Sequence, residues 1–100
     1  MLNLAFFARL EAKPGKEEEV AKFLGMGLEL AKKEPTTLLW FALRLGRTTF
    51  AIFDAFKDET GRQIHLHGPI AKALMDKAPE LFASPPTIEP ADVLGAKLPG

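Results

Sequence analysis

Residues 36–56 read Thr-Thr-Leu-Leu-Trp-Phe-Ala-Leu-Arg-Leu-Gly-Arg-Thr-Thr-Phe-Ala-Ile-Phe-Asp-Ala-Phe. Two apolar runs, Thr36 to Leu45 and Thr48 to Phe56, flank Gly46-Arg47 and read as a β-hairpin. A Gly-X pair suits a two-residue type II′ turn. That turn pairs Arg44 with Thr49, Phe41 with Ile52, Trp40 with Phe53 and Leu39 with Asp54. One face then carries Leu39, Phe41, Leu43, Phe50, Ile52, Asp54 and Phe56, and the other carries Leu38, Trp40, Ala42, Arg44, Ala51, Phe53 and Ala55. An antiparallel sheet with one wet face alternates apolar and polar residues, but here both faces are apolar. Helices can cover one of them. The second needs another cover, and an identical subunit with a symmetric interface supplies it most simply; a C-terminal tail folded across it is the alternative.

Outward from the hairpin, Leu4 to Ala12 is strand-like, with Leu4, Phe6, Ala8 and Leu10 on one face and Ala5, Phe7, Arg9 and Glu11 on the other. Lys13-Pro14-Gly15 is a turn. Lys16 to Lys33 then follows a helical period, with Val20, Phe23, Leu24, Gly27, Leu28 and Ala31 on one stripe. Glu17, Glu18 and Glu19 open it and Lys32 and Lys33 close it, complementing the helix dipole. Glu18 with Lys22 and Glu29 with Lys33 are expected i, i+4 pairs. Gly27 lies on the buried stripe, so close packing against a sheet would account for it, whereas Gly25 has no such reason.

Asp58 is placed to cap a short helix reaching about His67. Gly68-Pro69 opens another, with Pro at its favoured first position, and Pro79 is expected to break or kink it. Residues 84–100 form a Pro-containing tail, with an irregular last strand in 87–97 at a sheet edge, where Pro90 is tolerated. The order β-α-β-β-α-β is that of an α+β, ferredoxin-like domain with an antiparallel sheet spanning residues 1–100.

The totals narrow the function classes. Lys+Arg and Asp+Glu are both 13, so no basic excess exists to neutralise phosphates, which argues against nucleic acid. Cysteine is absent, removing thiolate metal sites and Cys nucleophiles. No apolar run approaches the roughly 20 residues of a membrane span, and the N-terminus lacks the basic region of a signal peptide. A soluble, cytoplasmic protein with no membrane partner is expected.

The chain has two histidines, His65 and His67. On a helix they point about 200° apart and cannot share one metal. With no HExxH spacing either, no metal is expected. Histidine titrates near neutrality and suits general acid–base work. Asp54 sits on an apolar face, so it must be paired, hydrated or shifted in pKa; Arg9 is one available partner. Trp40, the single Trp, reads as interface core or as a platform for a ligand.

Three stretches resemble the antibiotic biosynthesis monooxygenase superfamily: residues 8–20 with their Lys-Pro-Gly turn and acidic helix start, Phe50 to Phe56, and Ile64-His65-Leu66. The resemblance covers roughly residues 4–82. It implies two ferredoxin-like protomers closing a dimeric α/β barrel, with a pocket between sheet and helices whose wall includes Asp54, Phe56 and His65. It also implies oxidation of small aromatic, quinol or polyketide-like substrates with dioxygen and without a cofactor. Phe56 stands where those proteins commonly have Trp. In this reading His65 and Asp54 are catalytic, and Leu39, Phe41, Phe50 and Phe56 line the substrate site. The alternatives are a non-catalytic homodimer that binds a small apolar ligand, and an acid–base isomerase or lyase.

Overall fold

The computed structural model describes residues 2–99. The elements run β1 (Leu4–Glu11), α1 (Glu17–Ala31), β2 (Leu39–Arg44), β3 (Thr49–Phe56), α2 (Glu59–Leu66), α3 (Pro69–Leu81) and β4 (Thr87–Asp92). The four strands form one antiparallel sheet in the order β2-β3-β1-β4. This is the α+β, ferredoxin-like arrangement expected from the order of the elements.

Strand parity determines the two faces of the sheet. Ala8 and Leu10 of β1 and Phe50 and Ile52 of β3 join Val20 and Leu24 of α1 and Leu74 and Leu81 of α3 in one buried cluster. The helices therefore lie on the even-numbered face of β1 and β3. The opposite face presents Ala5, Phe7, Ala51, Phe53 and Ala55.

The expected hairpin register is corrected by one residue. Arg44 pairs with Phe50, Phe41 with Phe53, Trp40 with Asp54 and Leu39 with Ala55. A type II′ turn needs positive φ at its first central residue. Gly46 does not adopt it; Gly15 is the positive-φ glycine of the described chain. The loop takes in one more residue instead, and the Leu45 amide donates to Thr49 O at 2.8 Å. Arg44 reinforces this wider loop by donating to Gly46 O and Arg47 O. Glu11 accepts 2.6 Å bonds from Thr48 and Thr49, tying the hairpin end to β1 and lowering the Glu11 pKa.

A one-residue slip turns every side chain of a strand over. Trp40, Ala42 and Arg44 therefore face the helices. Leu39, Phe41 and Leu43 join the open face, where Phe41 stacks on Phe53 with ring centres 6.5 Å apart. The open face stays apolar along β2 and β3, with Phe41 50% and Leu43 40% exposed. Residues 93–98 approach Leu2, Asn3, Leu38 and Leu39 at one end of the sheet and leave these two uncovered.

Helix α1 buries Val20, Leu24, Gly27 and Ala31, as the period predicts. A Cβ on Gly27 would lie 3.3 Å from the Trp40 ring, so this glycine lets helix and sheet approach. Nothing within 4 Å explains Gly25. Lys32 and Lys33 fall beyond the helix, and the expected i, i+4 pairs are replaced: Glu29 pairs with Lys32 at 3.2 Å and Glu18 with Arg44 at 3.1 Å. Asp58 caps α2 by accepting from the Gly61 amide at 2.9 Å. Pro69 occupies the first turn of α3, and the helix continues through Pro79 to Leu81. Pro79 lies in the last turn, where it forgoes the single bond to Met75 O and only two helical residues follow it. Strand β4 is shorter than expected and stops at Asp92; Pro90 is accommodated because β4 is a sheet edge. No described helix is long and apolar enough to cross a membrane.

Candidate functional site

Three segments distant in sequence meet at His65. Helix α2 crosses the sheet so that His65 points inward, while His67, at the helix end, is exposed and bonds Gln63 O at 2.9 Å. His65 Nε2 lies 2.9 Å from Asp54 Oδ2 on β3, and His65 Nδ1 lies 2.7 Å from Glu34 Oε1 in the α1–β2 connection. The Thr37 hydroxyl donates to the same Glu34 oxygen at 2.7 Å. The imidazole is thus clamped between two carboxylates, with all three side chains largely buried. Phe56 packs beside the ring at 5.2 Å, and Phe6 meets Phe56 edge-on at 6.0 Å.

Burial by itself would lower the His65 pKa. The hydrogen bond and charge of Asp54, then those of Glu34, outweigh it and raise the pKa above 6.5. An imidazolium held this way donates both N–H groups and keeps no lone pair for a metal or a substrate proton. Among the described residues no group of three or more His, Asp or Glu could hold a metal ion.

Two polar atoms near this clamp are buried without a hydrogen-bond partner: Asp54 Oδ1 and Trp40 Nε1. Asp54 and Trp40 are direct cross-strand partners, and both line a cavity of about 30 Å³ walled by Phe6, Ile52, Leu74 and Ile88. Buried polar atoms are normally paired, so an unpartnered acceptor and donor on two residues that line one cavity mark a candidate place for a polar guest. Glu34 Oε2 is also unpartnered; it sits where a Cβ on Gly68 would come within 3.4 Å.

Of the residues singled out from sequence, His65, Asp54 and Phe56 come together. Phe50 is buried on the same face, beneath the Arg44 guanidinium at 4.9 Å. Leu39 and Phe41 do not join them, because the register slip puts both on the open face. Arg9 also lies there, opposite Ala51, and is no partner for Asp54. Trp40 faces the site instead of the open face. Glu34 was not singled out: it precedes Pro35 at a helix end and carries no local signal of burial.

The sequence matches no protein-family model and no curated protein. Among solved structures it is similar to the NE2512 protein of Nitrosomonas europaea, a protein of unknown function, with 56% identity, a TM-score of 0.96, and coverage of 100% of this chain and 97% of that one. A second N. europaea protein, described as a candidate antibiotic biosynthesis monooxygenase, is 18% identical with a TM-score of 0.81 over 92% of this chain and 90% of its own. A Caulobacter crescentus protein of the same description is 20% identical with a TM-score of 0.80 over 94% and 92%. At these lower identities the likeness is one of fold.

Proposed function

For a chain that belongs to one family with the NE2512 protein and has the fold of the antibiotic biosynthesis monooxygenase proteins, we propose a cofactor-independent oxygenase acting on a small phenolic or enolic aromatic compound. The observation that carries this reading is the unpartnered Asp54 oxygen, held by the His65–Glu34 clamp at an apolar cavity. In this reading the base is Asp54 rather than His65, since both ring nitrogens of His65 already face carboxylates. Asp54 Oδ1 takes the acidic proton of the substrate, and the imidazolium stabilises and orients Asp54.

The chemistry balances for an anthrone-type substrate without an added reductant. Removal of the hydroxyl proton from the enol tautomer gives an enolate, whose ring carbon forms a bond to dioxygen. The peroxide recovers the proton, and loss of water leaves a ketone, so CH₂ and O₂ become C=O and H₂O. The buried wall of Phe6, Ile52 and Leu74 excludes water, strengthening electrostatic control of the anion. Oxygen uptake with anthrone or a hydroquinone is expected to exceed spontaneous autoxidation, with ¹⁸O₂ label in the anthrone product. Uptake at the background rate would refute the oxygenase, and turnover without oxygen loss would assign an isomerase to the same residues.

The second part of the proposal is a homodimer. The apolar strip around Phe41 and Leu43, 50% and 40% exposed, lies beyond residues 93–98, which reach Leu39 at one end, and it suits a second copy across the open face. Native mass spectrometry should give about twice the 11.0 kDa chain mass. A monomer at micromolar concentration would remove the dimer.

A further inference from the structure

The Trp40–Asp54 cavity is not closed on all sides. Leu66, Ala71 and Ile88 line both it and a surface groove of about 310 Å³ at the α2–α3 junction, whose rim includes His67, Gly68 and Met75. The cavity, at about 30 Å³, has room for one small polar group but not for a ring. The adjoining groove is open and mostly apolar. A larger apolar groove of about 540 Å³ lies between α1 and β2 and also touches Trp40, but Asp54 is not among its lining residues.

We propose that Trp40 Nε1 and Asp54 Oδ1 form a hydroxyl-binding subsite, and that a phenol enters past Leu66, Ala71 and Ile88 with its ring left in the outer groove. A phenolic hydroxyl satisfies both orphaned atoms at once, donating to the carboxylate and accepting from the indole. An aldehyde or ketone can meet only the indole, and a hydrocarbon meets neither. The assignment deepens the reading of Asp54 as proton acceptor and rests on it for its catalytic meaning, but binding is measurable without turnover. It also gives Trp40 the role of positioning the oxygen that loses its proton.

Trp40 is the single Trp of the chain, so one indole N–H resonance reports on the subsite. In the unmodified protein under nitrogen, phenol should move that resonance saturably, and toluene of similar size should bind about tenfold or more weakly. Trp40→Phe, followed by calorimetry, should weaken phenol about tenfold and leave toluene unchanged. Ala71→Leu, at a half-buried helix position, should narrow the mouth and abolish the phenol response while the folded spectrum persists. Equal responses to phenol and toluene, or none, would overturn the subsite. An unaltered phenol response in Ala71→Leu would overturn the route. Phenol binding in a protein that takes up no oxygen with anthrone or a hydroquinone would uphold the subsite and refute the oxygenase; oxygen uptake with those substrates and a silent indole would do the reverse.

Discussion

His65→Leu is expected to lower the unfolding free energy by about 3–5 kcal/mol, read from urea denaturation near neutral pH. The size follows from what remains rather than from what is removed. Asp54 and Glu34 lose the cation between them and are left as buried carboxylates with unmet hydrogen bonds. Domains of this length have about 5–15 kcal/mol in total, so the variant should sit near the edge of folding. His65→Gln is the informative partner, because a neutral amide can still bond a carboxylate while carrying no charge. The His65 pKa is raised in the folded protein relative to 6.5. Its contribution to stability is therefore fully present below 6.5 and is lost as pH rises through the higher folded value. The urea midpoint of the unmodified protein should fall across that window, and His65→Gln should lack this component. Because His67 is exposed and common to both proteins, it does not account for a difference. Identical pH dependence in the two would mean that His65 is not held as an imidazolium.

Much of the architecture follows from short-range pattern. The stripe of α1, the alternation in β1 and the Asp58 cap are set by residues within one or two turns of each other, and each appears where its period places it. The hairpin register depends on something smaller. One extra loop residue, permitted because Gly46 keeps a negative φ, decides whether Trp40 or Phe41 faces the helices. Both sides of β2 are apolar, so the hydrophobic pattern could not separate the two registers. The site shows the same division. Asp54 and His65 were legible as a carboxylate on an apolar strand and a histidine on a short helix. Glu34 lies 31 residues from His65 and becomes its partner only when the α1–β2 connection folds over α2. An ionisable residue next to a proline at a helix end reads as surface, and only the tertiary fold buries it.

Asp54→Asn should lower kcat for oxygen uptake by about 10²–10⁴, the usual range for losing a positioned general base. The side chain is nearly unchanged in shape, and its oxygen can still accept from His65 Nε2, so the clamp persists while the proton acceptor is gone. Glu34→Gln provides the contrast. Glu34 does not line the cavity and acts through His65 Nδ1. Its loss should cost about tenfold in kcat with little change in KM, and should shift the His65-dependent limb of the pH profile to lower pH. That shift follows because the Glu34 bond and charge both help raise the His65 pKa. A residue that merely held the fold together would change stability without moving that limb. If Glu34→Gln and Asp54→Asn lose rate equally and with unshifted profiles, the clamp acts as a unit and Asp54 has no separate claim to the proton. If Asp54→Asn retains full activity, the acceptor lies elsewhere, and the unpartnered oxygen is a cavity feature that one bound water would satisfy.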